Sequence, residues 1–224
     1  VGVLTGILVA YVRIPSIVVT LAMMVALRDG LRWVTGGTWV TDLPRTFQWF
    51  GLQQSAYPVA AAACTCLLTA AAAWSLRHTV AGRWVYAVGS NEVAARLAGI
   101  RVERVKCLVF AAAGALTAIG AVLNAARFNQ VPSNSGLGLE MQVVAAVVVG
   151  GAAVTGGVGT IMGTVLGVML LGMIEPALTF FGVSAYWERA LQGAIILAAV
   201  GLDAWRGRPV TRERVGDEAL VARP

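Results

Sequence analysis

The chain has 224 residues, 58% of them hydrophobic and only 12% charged, with a formal net charge of +6 and a mean hydropathy of +0.77. A soluble domain carries about 25% charged residues, so this composition excludes a soluble globular protein and describes an integral membrane protein. The positive charge does not point to nucleic acid, because the basic residues sit in loops and a C-terminal tail between apolar runs, where membrane orientation places them.

The first apolar run, Val1 to Val12, is too short for a bilayer core that takes about 20 helical residues. It lacks the basic region and cleavage site of a signal peptide, so a chain missing earlier spans is expected, with a literal non-Met start as the alternative. Arg13-Ile14-Pro15 interrupts the run, and Pro15 suits the first turn of a second segment over 14–34, with Arg28, Asp29 and Arg32 near its far end. The loop 36–54 carries the interfacial aromatics Trp39, Trp49 and Phe50. Val59 to Leu76 has no charge over 18 residues and is rich in Ala, which suits packing against other helices.

Residues 77–106 form the longest hydrophilic island between spans. It holds six of the 17 basic residues (Arg77, Arg83, Arg96, Arg101, Arg104, Lys106) against two acids, Glu92 and Glu103. Ser90 and Asn91 offer N-caps, Glu92 complements a helix N-terminus, and Gly99 supplies a stop, so a short helix over 91–98 is predicted. Such an element is either a docking surface or a loop whose charge merely orients the chain.

Cys107 to Ala126 is a 20-residue uncharged span, followed by the loop 127–140 with Pro132, Gly136 and Gly138 as breakers. The next 34 residues, 141–174, lack any charge and are too long for one span. Gly150, Gly151, Gly156, Gly157 and Gly159 mark a break into an incoming and an outgoing segment, and Gly159, Gly163 and Gly167 form overlapping GxxxG patterns for close helix approach. A last segment over 185–205 is bounded by Tyr186, Trp187 and Trp205. The tail 206–224 is basic; with Arg13 and the island, 12 of the 17 basic residues lie on one side, which the positive-inside rule makes cytoplasmic. The expectation is an all-α, polytopic transmembrane bundle: a transmembrane domain over 1–205 with six to seven membrane segments, one glycine-broken pair, and a cytoplasmic tail.

Chemistry-bearing clusters are sparse. His78 has no His or Cys neighbour, and Cys64, Cys66 and Cys107 fall in apolar runs, so no metal site is expected. GAAVTGG (151–157) has phosphate-loop glycine spacing without the gripping Lys and Ser/Thr. No bound cofactor and no enzymatic activity are expected. Asn124, Glu140, Gln142, Glu175 and Gln192 are the polar residues within or beside the spans; the first four are candidates for a solute path, with helix-helix hydrogen bonding (Asn124, Gln192) or interfacial hydration (Glu175) as the plainer readings.

Three ordered stretches, 7–24 (ILVAYVRIPSIVVTLAMM), 85–106 (VYAVGSNEVAARLAGIRVERVK) and 139–172 (LEMQVVAAVVVGGAAVTGGVGTIMGTVLGVMLLG), resemble the bacterial sugar-importing ABC permeases of the ribose, xylose, rhamnose and autoinducer type. The resemblance implies an inner-membrane subunit of an ATP-driven importer. It implies a cytoplasmic ABC ATPase carrying ATP and Mg, a periplasmic solute-binding protein, and a second permease copy or paralogue as partners. It also makes the island's short helix a coupling helix, with Gly89, Asn91, Glu92, Ala95, Arg96 and Gly99 as its ATPase-coupling residues. The family often has Asn-Asn where this chain has Glu175-Pro176, and the stretch 182–197 is similar to the rhamnose and autoinducer branch. The competing class is an ATPase-independent facilitator or an integral membrane enzyme.

Overall fold

The structure is a computed structural model and describes residues 1–39, 55–128, 130–132, 136, 138–153, 156–182, 187, 190, 193–194, 197 and 201. Its described elements are eight α-helices: α1 (Gly2–Ala10), α2 (Ser16–Val34), α3 (Ala56–His78), α4 (Val80–Ser90), α5 (Glu92–Leu97), α6 (Val102–Phe128), α7 (Leu139–Val149) and α8 (Ile161–Phe180). Three of them are long and apolar enough to cross a membrane: α3, α6, and α8 over Ile161–Leu178. Helix α2 is also 19 residues long but carries Arg28, Asp29 and Arg32 in its second half, where Asp29 and Arg32 pair at 3.7 Å. Most of the predicted last segment over 185–205, the aromatics Trp49 and Phe50, Gln192 and the tail 206–224 lie outside the described residues.

Two pairings organise the described helices. Helix α1 runs along α6 in the most extensive packing among the described helices, and small residues make the approach: a Cβ on Gly6 would lie 3.0 Å from the Cys107 Cα, and one on Gly114 2.8 Å from the Gly2 Cα. Helices α7 and α8 form the glycine-broken pair. Here the GxxxG expectation finds its partner, since the positions where Gly163 and Gly167 would bear side chains are filled by the carbonyls of Gly150 and Ala146. Ala145, Ala146 and Leu171 are buried in the seam, with Ile174 against them. At 11 residues, or about 16 Å, α7 reaches only about halfway through a hydrocarbon core of about 30 Å. The incoming segment is therefore a half-length helix.

The island between α3 and α6 contains more helix than expected. Besides the short helix, Val80–Ser90 folds as α4, started by Thr79, whose Oγ1 accepts from the Gly82 amide at 3.1 Å. Helix α6 also begins at Val102, five residues before the predicted span, so that Glu103, Arg104 and Lys106 occupy its first turns instead of a loop. At its far end, the Tyr57 hydroxyl donates to the Leu123 carbonyl and ties the start of α3 to α6.

Candidate functional site

Helix α5 is built by its ends. Asn91 closes α4 and opens α5 in an extended conformation (φ −153°, ψ 106°), and its Oδ1 accepts from the Ala94 amide at 3.0 Å. At the other end Gly99 adopts φ +81°. There the Gly99 amide donates to the Arg96 carbonyl and the Ile100 amide to the Ala95 carbonyl, both at 3.0 Å. This is the Schellman arrangement, in which a left-handed residue is required just past the helix. Ala95 is the buried residue of α5, seating the helix on its neighbours.

Charge holds α5 to the base of α6. Glu92 accepts from Lys106 at 2.6 Å and pairs with Arg96 at 3.3 Å, while Arg96 reaches Glu103 at 2.5 Å. The result is one alternating chain, Lys106, Glu92, Arg96, Glu103. The Lys106 hydrogen bond lowers the Glu92 pKa, opposed by desolvation and aided by Arg96. The Glu103 and Glu92 hydrogen bonds hold Arg96 more firmly protonated. All four groups keep partial contact with solvent, so each pair is a modest contributor. Their value lies in fixing the orientation of a six-residue helix that has little stability of its own.

With Ala95 turned inward and the charges spent internally, α5 presents Val93 and Leu97 outward, 69% and 86% exposed. Four residues apart, they share one helix face. Neither was picked out from the sequence, although an i,i+4 aliphatic pair in a basic island was the available signal.

The glycine turn between α7 and α8 touches the same end of the molecule. A Cβ on Gly89 would lie 2.7 Å from the Gly157 amide nitrogen, and one on Gly157 would lie 2.6 Å from the Ser90 Cα. Real Cβ atoms essentially never come so close, so the two backbones meet only because both positions are glycine. The Tyr86 hydroxyl donates to the Gly159 carbonyl at 2.9 Å and adds a second tie. Thus α4, which ends where α5 begins, is pinned directly to the α7–α8 turn.

The polar candidates for a solute path are distributed differently. Asn124 is exposed on the far part of α6, and Glu140 and Gln142 are half-buried at the start of α7. No hydrogen bond joins Asn124 to either of them among the described residues. Glu140 accepts from the Gly138 amide at 3.1 Å, which stabilises the N-terminal end of the half-length helix. Glu175 lies within α8 just before Pro176, and its side chain is outside the described set. Among the described residues no three His, Cys, Asp or Glu side chains gather as metal ligands would.

Comparison with known proteins accords with this architecture. The ribose import permease protein of Escherichia coli (strain K12) is 35% identical over 207 residues, covering 91% of this chain and 64% of that protein. The autoinducer 2 import system permease protein of Enterobacter sp. (strain 638) is 36% identical over 218 residues, 95% of this chain and 62% of that protein. The corresponding protein of Salmonella typhimurium (strain LT2) is 35% identical over 207 residues, 90% of this chain and 58% of that protein. The chain thus spans less than two thirds of the length of these relatives. No solved structure matches it. Residues 1–200 match the family described as "Branched-chain amino acid transport system / permease component", and on that match the chain belongs to this family of membrane transport permeases.

Proposed function

We propose that the chain is the permease subunit of an ATP-driven importer in a bacterial inner membrane, moving a monosaccharide or similar small sugar-like solute handed over by a periplasmic binding protein. The names of the relatives, ribose import and autoinducer 2 import permeases, support the solute class. In this reading residues 77–106 and the tail face the cytoplasm, and a second permease copy or paralogue completes the path. ATP and Mg act on the partner ATPase, not on this chain.

The observation that carries the proposal is the Val93–Leu97 face of α5. It is an apolar pair on an element outside the spans, and the caps and the ion-pair chain hold it in one orientation. We assign it to a cleft on the ATPase. Burying two aliphatic side chains there contributes about 3 kcal/mol, enough to anchor a lever. ATP favours the closed ATPase pair by binding it more tightly than the open one, and a ligand shifts an equilibrium only by such a difference. Closure drags α5. The glycine contact then passes that displacement through α4 to the α7–α8 pair, while the ion pairs pass it to α6. The permease supplies path and lever, and the ATPase supplies the chemistry.

Co-purification with a co-expressed ATPase and solute uptake in proteoliposomes test this reading. Retention of the ATPase by the wild-type chain, its loss in V93S/L97S, and uptake that stops without the ATPase are expected. Uptake that continues undiminished after the ATPase is removed would establish a self-contained facilitator instead.

A further inference from the structure

A second basic feature adjoins the α5 ion-pair chain and shares Glu103 with it. Arg13, Arg101, Arg104 and Glu103 line one groove of about 400 Å³, together with Ala10 and Tyr11 at the end of α1. Glu103 is the only acid in it, and its carboxylate is engaged by Arg96 at 2.5 Å. No ion pair involves Arg13, Arg101 or Arg104 among the described residues, and all three are exposed. The groove therefore gathers three exposed cations around a single carboxylate, and Glu103, hydrogen-bonded by Arg96 and attracted by Arg13, leaves a local excess of positive charge.

Two further observations bear on what occupies it. Arg13 has φ 62°, and it is the one non-glycine residue with positive φ among the described residues. A strained backbone of this kind persists where the surroundings enforce it, and such positions cluster at ligand clamps. The depth is also informative. The groove lies where apolar α1 ends and where α6 begins its crossing, with Tyr11 59% exposed in its wall. An aromatic beside cations at the end of a membrane helix marks the headgroup layer.

We propose that this groove binds the phosphate diester of an anionic phospholipid, which the guanidinium groups of Arg13, Arg101 and Arg104 grip by charge-assisted hydrogen bonds. The lipid would bridge the α1–α2 turn and the start of α6, whose first turns also seat α5, and so brace the base of the coupling element. The proposal needs only that the chain is embedded in a membrane. It stands or falls separately from the importer reading.

The test is lipid titration of the purified full chain in detergent, followed by native mass spectrometry, with phosphatidylglycerol and phosphatidylcholine of the same acyl chains. Wild type is expected to bind phosphatidylglycerol at least tenfold more tightly. R13Q/R101Q/R104Q is expected to lose about fivefold per arginine, the fold-change that corresponds to about 1 kcal/mol for each basic residue at an anionic surface. R13K/R101K/R104K should keep part of the preference, and R77Q/R83Q, which removes two cations elsewhere on the island, should keep all of it. Equal binding of the two lipids by wild type overturns the proposal, as does a loss in R77Q/R83Q matching that of the groove variant per arginine. Displacement of the lipid by inorganic phosphate at equal concentration would make the groove a free-phosphate site and also overturn it. So would a groove variant that loses a co-expressed ATPase while its lipid preference is unchanged, since the cations would then serve an acidic protein surface.

Discussion

The contact between Gly89–Ser90 and Gly157 can be tested by three substitutions that separate its components. Gly157→Ala introduces a methyl 2.6 Å from the Ser90 Cα at a residue with φ +78°, so it brings both a clash and left-handed strain. Gly89→Ala brings the clash alone, at 2.7 Å from the Gly157 nitrogen, because Gly89 is in ordinary helical backbone. Gly151→Ala brings the strain alone, since Gly151 has φ +82° but nothing within 4 Å of its would-be Cβ. To reach ordinary van der Waals distance the seam must open by the better part of an ångström, an overpacking cost of about 1–3 kcal/mol, while the left-handed conformation alone costs about 1–2 kcal/mol. Coupling free energies between sites are about 1–3 kcal/mol, so the clash is of the size needed to uncouple. In proteoliposomes with the ATPase and binding protein, Gly89→Ala and Gly157→Ala are predicted to keep ATP hydrolysis but to lower solute uptake per ATP at least fivefold. Gly151→Ala should lower thermal stability and leave that ratio near wild type. Normal coupling in both seam variants, or equal uncoupling in Gly151→Ala, refutes transmission through this contact.

Three further predictions concern α5. Glu92→Lys puts a third cation beside Lys106 and Arg96, so it should release α5 and uncouple hydrolysis from uptake, whereas Glu92→Gln should do so more weakly; wild-type uptake per ATP in the charge-reversal variant would count against the ion-pair chain. Gly99→Ala forces an L-residue to φ +81° at about 1–2 kcal/mol, and should raise amide exchange over residues 92–97, with Gly99→Asn milder; unchanged exchange would mean that the Schellman end is dispensable. The Lys106 hydrogen bond depresses the Glu92 pKa below the usual 4.5, so its contribution is fully present above that value and is lost as pH falls through the lower, folded value. A spin label at Leu97 should therefore gain mobility only below about pH 4.5, and not in Glu92→Gln. A transition at neutral pH would contradict the assignment.

What the sequence made legible follows from locality. Asn91 and Gly99 are seven residues or fewer from the helix they cap, and their chemistry announces both ends of α5. The long uncharged runs announce α3 and α6, and the glycines at 150–159 announce the break between α7 and α8. Helix α4 was harder to see: its 11 residues include Arg83 and follow directly on α3, so the island's charge obscured an amphipathic stretch that Thr79 caps. The half-length of α7 is set at both ends, by Gly138 with φ +91° before it and by Gly150 and Gly151, the latter with φ +82°, after it. Contacts between Gly89 and Gly157, or between Gly2 and Gly114, join residues far apart in the chain, and no local pattern encodes them. The i,i+4 spacing of Val93 and Leu97 is local, but the inward burial of Ala95 that leaves their face for a partner is a tertiary property.

The central claim is that α5 docks a partner ATPase through Val93 and Leu97. It is tested most directly by placing a photo-crosslinking residue at Leu97 and, as a control, at Trp33, which is equally exposed on α2, and irradiating membranes that contain the assembled complex. A covalent adduct between the ATPase and the chain labelled at residue 97, absent from the chain labelled at 33, is the predicted result. An intact complex in which residue 97 yields no ATPase adduct would contradict the account.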